Sequence, residues 1–260
     1  MVSRGYVPFA VDGKPHPMQR GDLSITRPWQ AHRVGDPHLP ANRLHWIILD
    51  LGVRRPHERW RWPDWFILPP AVLQRLTELL QHNEQPVWRA TPRIEESFQR
   101  LTALIGEEST ATLEARLSLA VNELFLDLLE LLEHHTIPLD RYLSSTRRTV
   151  EMTLERVSSV PAYPWTLEEM AATAGLGRSR FSYYCRLASG LTPVAFLNRC
   201  RVAAARELLS ADPARSITDV SETCGFESSQ YFARVFRKLT GCTAREYRMA
   251  AGDRAGEPGK

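Results

Sequence analysis

Between Trp165 and Arg248 the chain states one pattern twice. The first copy opens at Thr166-Leu167-Glu168-Glu169-Met170-Ala171, turns at Gly175-Leu176, and runs through Phe181 and Cys185 to Gly190-Leu191-Thr192-Pro193 and Phe196. The second opens at Ser216-Ile217-Thr218-Asp219-Val220-Ser221, turns at Gly225-Phe226, and runs through Phe232 and Phe236 to Gly241-Cys242-Thr243-Ala244 and Tyr247. The offset is 50 residues before the turn and 51 after it. A self-match at one fixed offset marks a duplicated supersecondary unit. Each copy reads as a short helix, a tight turn and a second helix. Thr166 is placed as an N-cap, with Glu169 three residues on completing a capping box. Ala171, Gly175 and Phe181 fall at helix-turn-helix spacing. Alanine lets the helices cross closely, glycine permits the left-handed turn, and the aromatic anchors the second helix in the core. Ser216, Asp219, Val220, Ser221, Gly225 and Phe232 play the same parts in the second copy.

Between the copies, Thr192–Ser210 reads as one helix, with Val194, Leu197, Val202, Ala205 and Leu209 on its apolar side and Asp212-Pro213 as its stop. At 1.5 Å per residue it spans ~28 Å. Successive major grooves on one face of DNA lie ~34 Å apart. The spacer is therefore the right size to set two helices into neighbouring groove segments. Leu143–Val160 reads as a lead-in helix stopped by Pro161 and Pro164. Charge divides the same way. Residues 1–140 hold 15 Lys/Arg against 18 Asp/Glu, a net of −3, and residues 141–260 hold 18 against 12, a net of +6. A basic half joined to a mildly acidic one fits a nucleic-acid-binding domain with a separate sensing domain. The four cysteines (Cys185, Cys200, Cys224, Cys242) all lie in the repeated half without a Cys-x-x-Cys pair. They read as reduced thiols of a cytoplasmic protein, not as disulfides or a zinc site. Neither a signal peptide nor an apolar run of membrane-spanning length is visible.

The N-terminal half changes period near residue 69. Residues 1 to about 68 read as strands. Leu23-Ser24-Ile25-Thr26 alternates, Leu44-His45-Trp46-Ile47-Ile48-Leu49 is an apolar run of strand composition, and Asp12-Gly13 signals a hairpin. Pro8, Pro15, Pro17, Pro28, Pro37 and Pro40 argue against helix. Only about five strands can be counted there, against the eight or so of a small closed barrel. From about 70 to 133 the period is helical, over Ala71–Gln81, Pro92–Ile105 and Leu113–Glu133. The last is apolar over a broad surface, which suits both burial within the chain and pairing with a second copy. His134-His135-Thr136-Ile137-Pro138 breaks the pattern and marks the domain boundary. Six of the seven Trp precede residue 90, densest in Trp60-Arg61-Trp62-Pro63-Asp64-Trp65-Phe66. Such rings either pack strands against helices or wall an apolar pocket. His32, Trp46, Trp62 and Trp65 are the candidates for an effector pocket. His16, His32, His38 and His45 could ligate a metal, but scattered loop or core histidines are the simpler reading, and no metal or other cofactor is expected.

Two resemblances follow from these residues. Gly225-Phe226-Glu227-Ser228-Ser229-Gln230-Tyr231-Phe232-Ala233-Arg234-Val235-Phe236-Arg237-Lys238, through Gly241 to Glu246-Tyr247-Arg248, closely resembles the signature of AraC/XylS transcription regulators. Cys185 stands where the first copy usually has Phe, and Ala244 where the second usually has Pro. Gly21-Asp22-Leu23-Ser24-Ile25-Thr26-Arg27-Pro28-Trp29-Gln30-Ala31-His32 resembles the second motif of the cupin barrel, with Trp29 in a usual Gly position. The earlier His-x-His and Glu of a metal-binding cupin are missing, which counts against the alternative of a cupin-type metalloenzyme with an accessory DNA-binding module.

The resemblances imply two domains. Residues 1–140 would be a mainly-β, cupin-like, abbreviated barrel with following helices, for effector binding or dimerisation. Residues 141–252 would be an all-α, homeodomain-like double helix-turn-helix, with units at 166–189 and 216–239. Residues 253–260 would be a disordered tail. Mapped by motif position, the resemblance gives the base-reading faces as Arg178, Ser179, Arg180, Ser182 and Tyr183 in the first unit. In the second they are Ser229, Gln230, Tyr231, Ala233 and Arg234. Side-chain chemistry agrees, since Arg pairs bidentately with guanine and Gln with adenine. Arg186, Arg237 and Lys238 lie later in their helices, where phosphate is the expected partner. Phe181, Phe226, Phe232, Phe236 and Tyr247 are assigned to the core. The implied partners are a double-stranded DNA operator, a small-molecule effector, the transcription machinery and a second copy of the chain, with no membrane. The reading is of a non-enzymatic, sequence-specific regulator.

Overall fold

The computed structural model describes residues 1–106, 110–135, 137–212 and 214–255, with backbone alone for 251–255. Pro213 and residues 256–260 of the expected tail lie outside that set. The chain forms two compact units that divide between Ser145 and Thr146.

The first unit opens with short strands: β1 (Val2–Arg4), β2 (Tyr6–Val7), β3 (Phe9–Val11), β4 (Lys14–Pro15), β5 (Met18–Gln19), β6 (Asp22–Ser24), β7 (His32–Val34) and β8 (Arg43–Leu44). They exceed the five expected, because each is too short to show as an alternating run. After helix α1 (Pro70–His82) comes β9 (Val87–Arg89), which the sequence reading did not anticipate. All pairings are antiparallel, in four separate small sheets: β1-β8, β2-β5, β4-β3-β7 and β6-β9. Among the described residues these sheets do not close into a barrel. The Asp12-Gly13 hairpin is present: both residues have positive φ, and Val11 pairs with Lys14.

The run at 44–49 behaves differently from its composition. Only Arg43–Leu44 is strand, and no strand runs beside the residues after His45. Trp46 is 75% exposed and Ile48 is 88% exposed. An apolar run needs a partner strand to satisfy its backbone groups, and this one lacks it among the described residues.

Helices α2 (Pro92–Leu104) and α3 (Ala111–Glu133) pack on one another and on α1 to build the main core, around Leu76, Ile94, Leu124 and Leu132. The tryptophan-rich segment lies on α3. Phe125 sits edge-on to both Trp62 and Phe66, with ring centroids 5.7 and 5.2 Å away. Asn122, buried in α3, accepts from the Ile67 amide at 2.9 Å and donates to the Trp65 carbonyl at 3.2 Å. A buried amide that satisfies two loop backbone groups holds the loop in one place. A second, smaller core of Val2, Val7, Phe9, Val11 and Met18 lies among the strands.

The second unit is helical: α4 (Thr146–Ser159), α5 (Leu167–Thr173), α6 (Arg178–Ser189), α7 (Pro193–Ala211), α8 (Ile217–Thr223), α9 (Ser229–Thr240) and α10 (Ala244–Ala255). A 3-10 turn at Arg141–Ser144 precedes it, so the lead-in helix starts three residues later than its apolar pattern suggests. α10 runs through 253–255, which the sequence reading gave to the tail. The Thr166–Glu169 capping box is formed on both sides. Thr192 caps α7 and Ser216 caps α8, each accepting from the amide three residues on.

This unit has two hydrophobic cores, and α7 serves both. Phe196 and Leu197 pack with Val150, Met170, Phe181 and Cys185. Val202, Ala205 and Leu209 pack with Val220, Phe226, Phe232 and Phe236. Each helix-turn-helix copy thus folds around its own half of one 19-residue helix. The two unlike residues fit. Cys185 is fully buried in the place expected of Phe, and burial pushes its thiol up from the usual range. Ala244 is buried at the start of α10.

Gly225 is doubly constrained. Its φ is +81°, and a Cβ there would sit 2.5 Å from the carbonyl oxygen of Ala162. Gly241 also has φ +81°, but a Cβ there meets nothing within 4 Å. Gly241→Ala should therefore cost only the left-handed backbone penalty, about 1 kcal/mol. Gly225→Ala adds a backbone clash and should cost about 3 kcal/mol or more, since over-packing alone reaches this range. Urea unfolding of the two full-length variants beside the parent checks the ranking, and equal losses would contradict it.

Candidate nucleic-acid interface

The repeat places α6 and α9 as the second helices of their motifs, each stitched to the core along one stripe. On α6 the buried residues are Phe181 and Cys185; on α9 they are Phe232, Val235 and Phe236. The opposite stripes face outward. On α9 the exposed residues Gln230, Ala233, Arg234, Arg237 and Lys238 recur at helical spacings of three and four. On α6 Arg178, Ser179, Arg180, Tyr183 and Arg186 are exposed and Ser182 is half-buried. Neither helix contains an Asp or Glu.

The local contacts sort these residues further. Arg178 pairs with Glu168 of α5 at 2.8 Å, and that hydrogen bond holds the Glu168 carboxyl below its usual range. Both partners are largely exposed, so the pair is weak and a phosphate can displace it. Arg180 donates to the Thr146 hydroxyl of α4 at 3.2 Å, which turns its guanidinium back along the first unit of the repeat. The guanidinium of Arg234 lies 5.2 Å from the Tyr231 ring centroid. Tyr231 is half-buried, and its hydroxyl accepts a hydrogen bond from Asn198 of α7 at 2.8 Å. Ser229 is also half-buried, in the first turn of α9. Arg186, Arg237 and Lys238 make no ion pair among the described residues. Gly177 gives α6 no side-chain cap, so its first-turn amides are open to an anion.

A further set of residues fixes how the copies sit on α7. Arg201 is only 8% exposed, in the middle of that helix. It donates to the carbonyls of Pro161 and Tyr163 at 3.0 and 3.1 Å, and its guanidinium lies 5.8 Å from the Phe226 ring. Burial pulls its pKa below the usual arginine value. Arg206 caps the same arrangement from the far end of α7, donating to the Tyr247 hydroxyl at 3.1 Å. Sequence reasoning overlooked Asn198, Arg201 and Arg206. The available signal was two polar residues, Asn198 and Arg201, interrupting the apolar side of the spacer between Leu197 and Val202.

The N-terminal candidates are not brought together. His32 is exposed in β7 and bonded to the Gln30 carbonyl. Trp46 projects from the unpaired run. Trp62 donates its indole N–H to the Thr77 hydroxyl at 2.9 Å, and only Trp65, 41% exposed, lies near it through their shared neighbour Phe66. Among the described residues no three His, Cys, Asp or Glu side chains gather in a metal-binding arrangement. No helix there is long and apolar enough to cross a membrane.

A family model described as "Helix-turn-helix domain" matches residues 170–250, which span both outward stripes and α7. Over a longer stretch the chain is similar to transcriptional activators. It is 27% identical over 190 residues to the activator RhaS of Klebsiella pneumoniae, covering 73% of this chain and 67% of RhaS. It is 25% identical over 197 residues to the virulence regulon activator VirF of Yersinia enterocolitica, covering 71% of each. The helical unit thus carries a helix-turn-helix domain of the AraC type. The activator RclR of Escherichia coli is 30% identical over 95 residues, and the match covers 36% of this chain and 33% of RclR. The crystal structure of the DNA-binding domain of AdpA with a target DNA is matched over 42% of this chain and 98% of that one. Its sequence identity is 25% and its TM-score 0.40.

Arg201 sets the internal geometry of this helix-turn-helix module. Arg201→Met keeps the apolar stem but removes the guanidinium hydrogen bonds to the Pro161 and Tyr163 carbonyls. It should cost about 3 kcal/mol, the scale of hydrogen bonds to a charged group. Arg201→Lys, which cannot reach both carbonyls in the same fork, should recover only part of this. Chemical unfolding of the two variants tests it; an Arg201→Met protein as stable as the parent would show the contact to be incidental.

Proposed function

We propose that α6 and α9 enter adjacent segments of the major groove, with their outward stripes reading base edges at the front and gripping phosphate at the back. The observation that carries this reading is that two acid-free, outward-facing stripes are built on the two halves of one continuous helix. Gln230 and Arg234, one turn apart on α9, have the donor geometry for adenine and guanine edges. Ser179 and Tyr183 occupy the corresponding outward turn of α6, with Arg178 and Ser182 beside them. Arg186, Arg237 and Lys238 are assigned to phosphate, which positions the protein without specifying sequence. Arg180, Ser229 and Tyr231 are assigned a supporting part in base reading, because their side chains also contact or pack on neighbouring helices.

The N-terminal unit, about 1–140, is proposed as the sensing or dimerisation module, an opened and abbreviated relative of the cupin barrel. Its sheets are short and separate, which suits a domain that changes with a bound effector or a second copy more than a rigid enzyme barrel. Contact with the transcription machinery is proposed on the strength of the named relatives, which are activators.

Selection of bound DNA from a random pool with the full chain tests the reading. Two short elements about one helical turn apart are expected, and a single uninterrupted element would contradict it. On the selected site, Arg234→Ala should lose ~1–3 kcal/mol and relax specificity at its own position. Equal weakening on random DNA would remove Arg234 from the base-reading set. Lys238→Ala should weaken all sequences alike and lower the slope of log affinity against log salt by about one; an unchanged slope would exclude phosphate contact.

A further inference from the structure

We propose that an open groove between β1, β8 and α2 of the N-terminal unit binds a small, multiply charged anion, a carboxylate or a phosphate. The proposal rests on reading that unit as the sensing module and gives its ligand a chemical class. The groove has a volume of about 690 Å³, within the range of small-molecule sites. Ser3 and Arg4 come from β1, Arg43 from β8, His45 from the residue after it, Arg20 from the turn before β6, and Thr102 from α2. No Asp or Glu lines it.

This concentration of cations is unusual for its surroundings. The unit has an excess of acidic residues, and about half of its arginines are paired with them. Arg33, Arg54, Arg55, Arg75, Arg89, Arg93 and Arg100 all form ion pairs. Arg4, Arg20 and Arg43 form none among the described residues. Asp22, the carboxylate nearest Arg20 in sequence, is engaged instead by Arg89 at 3.2 Å. Arg4, Arg20 and Arg43 line one concavity that has no acidic side chain in its wall, and a bound dianion would accept charge-assisted hydrogen bonds from them.

The groove's wall is also held in place. Both ring nitrogens of His45 are engaged, Nε2 with the Ser3 hydroxyl at 2.8 Å and Nδ1 with the Thr102 hydroxyl at 3.0 Å. The Thr102 hydroxyl donates to the Phe98 carbonyl at 2.7 Å, so it accepts from His45 Nδ1–H. These bonds tie β1, the end of β8 and α2 together. The backbone at Gly5 passes so close to Ala41 that a Cβ would lie 2.5 Å from its carbonyl oxygen. Burial, and then the positive charge of nearby groups including Arg43, hold the His45 imidazole below its usual pKa. The four effector candidates of the sequence reading, His32, Trp46, Trp62 and Trp65, lie outside it.

Calorimetric titration of the full-length protein with citrate and with pyrophosphate, at fixed ionic strength, tests the site, with glycerol as the neutral control. At least one anion should saturate a single site per chain while glycerol gives no signal. The double variant Arg20→Ala/Arg43→Ala should weaken that binding about a hundredfold, roughly tenfold for each charged hydrogen-bonding group lost. Arg186→Ala/Lys238→Ala, in the DNA-binding unit, should leave it unchanged. All four side chains are exposed, so neither variant should lower the unfolding midpoint. The site is overturned if neither anion saturates. It is also overturned if the second variant, and not the first, removes binding, or if the first variant weakens DNA binding without any anion bound, which would make the groove a nucleic-acid surface. Affinity for the selected DNA site with and without the anion separates the two claims. A shift supports sensing, whereas saturable binding without a shift supports the groove and overturns the sensing role.

Discussion

The DNA-binding unit depends on one helix being shared by two cores. α7 gives Phe196 and Leu197 to the first copy and Val202, Ala205 and Leu209 to the second, so neither copy can rotate about the spacer without losing buried apolar surface. At the point of exchange the apolar seam is interrupted by polar residues that reach outward. Asn198 reaches Tyr231 of α9, and Arg201 reaches the linker ahead of the first copy. A buried guanidinium is costly unless its donors are used, and here the carbonyls of Pro161 and Tyr163 use them. Those carbonyls belong to a stretch broken by Pro161 and Pro164, outside any helix, and the Tyr163 carbonyl also accepts from the Trp165 amide at 2.7 Å. The same stretch presses Ala162 against Gly225, so the lead-in linker, the spacer and the second turn meet at one place.

That junction explains why the outward stripes can be so basic. α6 and α9 present arginines and a lysine with no acid on either helix, an arrangement that repels itself and contributes nothing to folding. Stability comes from the buried stripes and the junction, which leaves the outer faces free to be chosen for a polyanion. The N-terminal unit solves the opposite problem. It pairs about half of its arginines with nearby carboxylates and leaves Arg4, Arg20 and Arg43, around the groove at β1, β8 and α2, without an ion pair among the described residues.

Much of the repeat was legible in the sequence, for physical reasons. Capping residues, the left-handed glycines and aromatic anchors act over a few residues, so Thr166–Glu169, Gly225 and Phe232 announce their roles in the local pattern. The outward stripes follow once the buried ones are known. Arg201 was not legible because its partners are backbone carbonyls 38 and 40 residues away, which no side-chain pattern records. The strands of the first unit were misjudged in number, since segments of two or three residues carry no measurable alternation. The run at 44–49 was misjudged in kind, because composition reports a preference for strand but not whether a neighbouring strand exists. The basic groove escaped for a related reason: Arg4, Arg20 and Arg43 are far apart in the chain and come together only through the β1-β8 pairing and the β5–β6 turn.

If α7 is the rigid ruler that this junction implies, the two DNA elements must keep a fixed helical phase. Affinity should be measured for the selected site with one, five and ten base pairs inserted between its elements. Five added pairs turn the second element to the opposite face of the duplex, and affinity should then fall to that of a single element. Ten pairs restore the face but exceed the ~28 Å reach of the spacer, so affinity should stay low. Retained affinity at five or ten added pairs would mean that the two units move independently on DNA and would contradict the account.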